Sequence, residues 1–433
     1  MHIQRAIAAL IFHRILFEVW KGKFVPNDAV GKTETDVGKE ILLLSLAAFA
    51  SAVAVRMCDP MLPALARSFD TSTARAAMVI TTTSVTYGIC QLLFGPLSDS
   101  LGKFRIVAWA CLASTVGALA CAVSTSLEIL SLARALTGAT TSALIPLSMA
   151  WVGDTVCLDR RQPVLARLMS GQIVGLVSGQ AVGGLFADTL GWRWAFVLLA
   201  LIYCTVGLLL LRALKRMPKE NGPREASAND KSIHERIGLI FGSTKARAIL
   251  VIVFVEAMAM FGALAFIPTY LHERFGISLF QAGSVVATIG LGGLLYTSMA
   301  RRWVQALGTA RLALLGGTLL GLAFFILALA PGWGWAIVAC ILAGLGFYQL
   351  HNTLQTQATQ MAPTARGMAV SIFASCFYLA QAAGVSLGSV LLEQHGAPWL
   401  FASAGMILLL VGWVFSRRLH ALAGENLPPV KKN

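Results

Sequence analysis

The sequence predicts an all-α membrane protein: two six-helix bundles, twelve transmembrane helices in all, around a central cavity. Three observations predict it. Of 433 residues, 57% are hydrophobic and only 12% are charged, whereas soluble domains carry about 25% charged residues. A chain this poor in charge could not cover a surface exposed to water. Twelve apolar runs are long enough to cross a bilayer, which takes about 20 residues each. One long polar interruption, Arg212 to Arg247, divides them six and six.

The runs fall at residues 41–63, 76–96, 106–124, 128–153, 164–187, 194–213, 248–271, 279–299, 311–330, 334–357, 366–391 and 397–416. They are called spans 1 to 12. Backbone groups in hydrocarbon must be satisfied internally, so runs this long are helices. A barrel would show alternating segments of about ten residues instead. The expected organisation is an N-terminal segment (1–40), a first bundle (41–213), a basic linker (214–247), a second bundle (248–416) and a tail (417–433).

Charge placement orients the spans. An even number puts both termini on one side. That side holds Arg5, Arg14, Lys21, Lys23, Lys32, Lys39, Lys103, Arg105, Arg160, Arg161, Arg167, the linker, Arg301, Arg302, Arg311, Arg366 and the tail. The other side has only Arg67, Arg75, Arg193 and Arg274. Lys and Arg concentrate on cytoplasmic loops, so the basic side is expected to be cytoplasmic, with both termini. The net charge of +14 therefore reads as membrane topology and calls for no nucleic acid. Short loops with this skew suit a bacterial inner membrane.

The first forty residues fit the pattern less well. Met1 to Lys23 is apolar but interrupted by Arg5, His13, Arg14, Glu18 and Lys21. The run is too short to span, and no small-residue cleavage site follows. An interfacial helix and a start codon placed too early are equal readings. The eight cysteines lie almost wholly within apolar stretches and form no CxxC pair. They read as small packing residues, and no metal site or cofactor is expected.

The turn after span 2 reads Gly95-Pro96-Leu97-Ser98-Asp99-Ser100-Leu101-Gly102-Lys103-Phe104-Arg105. Asp99 can bond to the positive N-terminus of a neighbouring helix or to Lys103 and Arg105, while Gly95 and Gly102 allow close packing and a tight turn. Gly-x-Leu-x-Asp-x-x-Gly-Lys-x-Arg at such a turn resembles motif A of the major facilitator superfamily. The resemblance implies a latch that holds two bundles together in the outward-facing state, with Asp154 at the end of span 4 joining its charges. After span 8, Arg301 to Arg311 is a weaker echo: Gly308 aligns with Gly102 and Arg311 with Arg105, but Gln305 stands opposite Asp99.

Arg134 lies within span 4, in Leu130-Ser131-Leu132-Ala133-Arg134-Ala135-Leu136-Thr137-Gly138. An arginine inside a membrane is paired or lines a cavity, and this stretch resembles motif B. Its expected partner is Asp59 in Arg56-Met57-Cys58-Asp59-Pro60-Met61-Leu62-Pro63 of span 1, at similar depth in the outer half. Making and breaking such a pair would let the carboxyl bind and release a proton. Arg56, one turn before Asp59, could pair with it locally or face substrate.

Span 5 carries Gly171, Gly175, Gly179, Gly183 and Gly184. Glycine at every fourth position makes a smooth face for close helix approach. The pattern resembles motif C, the antiporter signature, with Gln180 where the family has proline. Gly191-Trp192-Arg193-Trp194-Ala195-Phe196 also resembles the family's following loop. Together these stretches resemble the twelve-span drug:proton antiporters by motif over spans 1 to 6 and by layout over the whole chain. The resemblance implies proton-coupled export of a small amphipathic molecule by alternating access, with most members of the fold working as monomers. The alternative is a proton symporter or uniporter for a small nutrient such as a sugar or organic acid.

Other polar residues are candidates for the cavity. Glu256 in span 7 is an intramembrane acid and a second candidate for the proton. His351 and Asn352 in span 10, Tyr87 and Gln91 in span 2, and Tyr378 and Gln381 in span 11 are candidate substrate contacts. Aromatic and amide groups in an apolar pocket suit amphipathic small molecules. No P-loop or HExxH stretch occurs, and the loops are too short for a catalytic domain, so no enzyme is expected.

Overall fold

The computed structural model describes residues 34–217, 233–362 and 366–425. Among them the chain is helical throughout, without a strand. Eleven helical stretches are long and apolar enough to cross a membrane. One of them, Leu279–Leu329, has 51 residues. At 1.5 Å per residue it would run about 75 Å, against a hydrocarbon core of about 30 Å. It is two spans: Gly308, at φ 72° and ψ 166°, breaks it between spans 8 and 9. Among the described residues the total is twelve, as the sequence predicts.

Several spans are interrupted, and a proline stands at each of the breaks in spans 1, 4 and 7. Span 1 is a helix Glu34–Arg56, a 3-10 turn Asp59–Met61 and a short helix Leu62–Ser68. Pro60 and Pro63 lack an N–H and clash with the preceding turn, so the regular helix stops before them. Span 7 breaks between Leu264 and Ile267, with Pro268 opening its second piece. Span 4 breaks between Thr141 and Leu144, with Pro146 in the first turn of its second piece.

The bounds of the terminal and linker segments differ from expectation. Span 1 begins at Glu34, inside the segment assigned to the N-terminus, and span 12 runs Ala397–Glu425, past its expected end. The linker contains a helix, Ile233–Gly242, whose Ile240 is buried. It is amphipathic, with Ile233, Ile237, Ile240 and Phe241 among polar neighbours. The charge count masked that pattern. Met1 to Lys23 and residues 426–433 of the tail lie outside the described residues.

Large apolar side chains point outward along the spans, among them Trp109, Leu132, Leu201, Val251, Leu329 and Trp399. An apolar exterior of this kind is what lipid covers. Inside, helices approach through glycine. A Cβ on Gly171, Gly175, Gly179 or Gly183 would come within 2.1 to 2.9 Å of the carbonyl oxygens of Ser45, Phe49, Val53 and Met57 in span 1. Gly184, the neighbour of Gly183, faces the other way, onto the carbonyl of Leu279 in span 8.

The two halves repeat one another. Residues with positive φ occur in pairs 205 or 206 positions apart: Asp70 with Gly276, Gly102 with Gly308, Gly191 with Gly396. Glycine contacts repeat with the same offset. Gly138 packs on the Thr83 carbonyl and Gly344 on that of Ile289; Gly179 and Gly183 pack on Val53 and Met57, and Gly384 and Gly388 on Met258 and Gly262. The echo of Gly102 in Gly308, weak in sequence, is a repeat of backbone geometry.

Candidate functional site

Several of the residues expected to carry protons and substrate gather where the halves meet. Asp59 is fully buried in the 3-10 turn of span 1. Its Oδ2 accepts a hydrogen bond from Gln180 Nε2 at 2.8 Å and lies 3.6 Å from Arg56 Nη1. Arg56 reaches across the seam: Nη2 donates to Gln381 Oε1 of span 11 at 3.2 Å, and the guanidinium sits 4.2 Å from the centre of the Phe261 ring in span 7. Gln381 in turn donates to Ser84 of span 2 at 3.0 Å.

The expected pairing of Asp59 with Arg134 is corrected here. Asp59 is held by Gln180 and Arg56, and no guanidinium nitrogen of Arg134 has a hydrogen-bond partner. The two charges still act on each other at longer range, but the turn forced by Pro60 aims the carboxylate at span 5. Arg134 is fully buried, with its guanidinium 6.0 Å from the Phe196 ring centre. A buried cation without a direct partner is costly.

Glu256 and His351, expected separately, form one unit. Glu256 is fully buried, and its Oε2 lies 2.9 Å from His351 Nδ1. The imidazole stacks on Phe347 at 4.8 Å and lies 4.9 Å from Phe377. Tyr87 and Tyr378 stack face to face at 3.9 Å, joining spans 2 and 11. Gln91 is buried, with Oε1 unpartnered. Asn352 sits beside Tyr296 of span 8, one residue from His351.

At the basic end, Gly102 takes φ 86° and caps span 2 before span 3 starts at Lys103. Lys103 and Asp154 form an ion pair, so the structure brings these two residues together. Both belong to the first half. Arg105 is exposed, and a Cβ on Gly95 would meet nothing within 4 Å. The Asp99 side chain lies outside the described residues.

The opposite end is sewn together across the halves. Asp188 Oδ2, at the end of span 5, accepts from the backbone N–H of Phe280 at 2.7 Å, in the first turn of span 8. Ser72, which caps span 2, donates to Glu393 Oε1 of span 11 at 2.6 Å. Thr81 and Ser386 are 3.3 Å apart. Asp188 and Glu393 are themselves repeat-related, 205 positions apart. None of these acids stood out in the sequence. The repeat offset was the one signal that could have paired them.

Comparison with known proteins places this geometry. The model of the Major Facilitator Superfamily matches residues 44–365. The chain belongs to that superfamily. Its members are membrane transporters, and the fold here is theirs, so the family expected from the motifs holds. The inner membrane transport protein YnfM of Escherichia coli (strain K12) is 25% identical over 405 residues, covering 92% of this chain and 95% of YnfM. The multidrug export protein EmrB of the same strain is 29% identical over 174 residues, 40% of this chain and 34% of EmrB. Among solved structures, a bacterial homolog of the human lysosomal transporter Spinster, in an inward-facing and unoccupied conformation, superposes with a TM-score of 0.69. It is 15% identical and covers 92% of this chain and 100% of its own.

Proposed function

We propose that this transporter exports a small amphipathic molecule in exchange for protons. Asp59 carries the proton, and the two bundles rock around the central polar cluster. The observation that carries this reading is the setting of Asp59. It is a fully buried carboxylate at a helix break, held by Gln180 of the glycine-faced span and by an arginine that reaches into the other half. Buried acids inside a membrane are expensive and are kept for function. Arg134 takes the carboxylate in the alternate state, and the Glu256–His351 pair is a second proton site. Arg56, Tyr87, Gln91, Asn352, Tyr378 and Gln381 line the substrate path.

The basic end faces the cytoplasm, with both termini, in a bacterial inner membrane, and the protein works as a monomer among lipids. The sewn end is then the outer one, and the conformation is closed to the outside. Lys103, Arg105, Asp99 and Asp154, with Gly95 and Gly102, form the inner latch used when the cytoplasmic side closes. The glycine face of span 5 and the likeness to a multidrug exporter support export. Gln180 in place of the motif C proline favours the alternative, symport or uniport of a sugar or organic acid.

The test is proton movement in proteoliposomes, with cationic and neutral amphipathic compounds under an imposed pH gradient. Protons and a compound moving in opposite directions support antiport. Movement in the same direction makes the protein a symporter and leaves the span 5 glycines as packing alone.

A further inference from the structure

Gln180 is where this chain departs from the motif its glycines resemble, and it stands where three elements meet. Its side chain is buried and donates to Asp59 in span 1. Its backbone carbonyl lies against Gly283 of span 8, so closely that a Cβ on Gly283 would sit 2.2 Å from the oxygen and 3.4 Å from Pro60 Cβ. One residue of span 5 therefore touches the carboxylate with its amide and the seam between the halves with its carbonyl. The residue that follows Asp59, Pro60, completes the contact.

The amide has a second property. Gln180 Oε1 is buried without a partner. An amide offers donors on one side and an acceptor on the other. Toward a charged Asp59 it presents its N–H, as here. Turned over, it presents Oε1 to the O–H of a protonated Asp59. Proline can do neither. The charged groups that act on Asp59 are Arg56 on its own span and Arg134 of span 4. Spans 5 and 8 bring no charge near it; between residues 168 and 187, and between 279 and 299, they contain none.

We infer that Gln180 is the positioning residue that transmits the state of Asp59 to the seam between spans 5 and 8. It holds the seam shut while it donates to the carboxylate and loosens it when the amide turns. This rests on the reading of Asp59 as proton carrier.

The test is hydrogen–deuterium exchange of the full-length protein in lipid nanodiscs from pH 5 to 8, corrected for intrinsic exchange, at peptides covering residues 175–187 and 278–290. In the wild type, seam protection is expected to fall in one step as pH falls. Gln180→Met removes both the donor and the acceptor of the amide, so the step is expected to disappear and seam protection to become independent of pH. Gln180→Leu, of similar volume, gives the same loss and serves if the methionine variant misfolds. In an Asp59→Asn background the step disappears as well. A Gln180→Met profile that superposes on the wild type overturns the inference. So does a step of unchanged size that Gln180→Met merely displaces, because the seam then follows Asp59 without Gln180. A step that survives Asp59→Asn removes the carrier assignment, and this inference with it.

Discussion

At Asp59 one oxygen carries both contacts, from Gln180 and Arg56, while Oδ1 has none. Asn at this position keeps the shape and an acceptor for Gln180 but cannot take up a proton. Asp59→Asn is therefore expected to fold and to lose proton-coupled flux in proteoliposomes. Flux still driven by a pH gradient would sink the assignment. Glu256 makes a different prediction, about stability. His351→Phe keeps the stack on Phe347 but leaves the carboxylate without its partner. Leaving a buried hydrogen-bonding group without its partner costs about 1–3 kcal/mol, which should appear as a lower unfolding temperature. Glu256→Gln added to His351→Phe should recover part of the loss; a further drop would show that the pair is not the source. Both acids were legible in the sequence because acids are rare inside apolar spans. Their partners were not. Gln180 is 121 residues from Asp59, and His351 is 95 from Glu256. Which groups meet depends on how each helix is rotated, and for Asp59 on a proline turn that apolar periodicity does not reveal.

Helices pack here through glycine, and the glycines differ sharply in what surrounds them. A Cβ on Gly183 would fall 2.1 Å from the Met57 carbonyl and 3.0 Å from Pro60, in the backbone beside Asp59. Gly183→Ala must push span 1 away from span 5, and overpacking of this kind typically costs about 1–3 kcal/mol. It should lower thermal stability and transport together. Gly95 belongs to the glycine-bounded turn at the basic end, yet nothing lies within 4 Å of its Cβ direction. Gly95→Ala should leave thermal stability in this conformation unchanged, and a drop as large as that of Gly183→Ala would contradict the packing described. The span 5 glycines were readable because their spacing is local, one helical turn each. Which neighbour each glycine meets was not: Gly183 and Gly184 are adjacent and face different spans. The breaks in spans 1, 4 and 7 all follow from prolines in plain view.

Across the whole molecule, the two halves close one end with repeat-related contacts. Asp188 takes the N–H of Phe280 at the start of span 8, and Glu393 takes the hydroxyl of Ser72 at the start of span 2. In each case an acid ending one span of one half meets the first turn of a span in the other half. Carboxylates at helix N-termini are favourable, by about 0.3–1 kcal/mol when exposed. Each contact alone is therefore a weak clasp. Two together, with the close approach of Gly184 to Leu279 and Gly283 to Gln180, are enough to bias an equilibrium between states a few kcal/mol apart. Asp188→Ala with Glu393→Ala is then expected to raise deuterium uptake at this end, near residues 72–84 and 278–290. Uptake should fall at the basic end, near residues 153–168 and 300–311, since rocking that opens one end closes the other. The single variants should give intermediate shifts of similar size, because the sites are related by the repeat. Uptake that rises only at residues 278–281, with the basic end unmoved, would make these acids local caps. The repeated geometry would then have no part in gating.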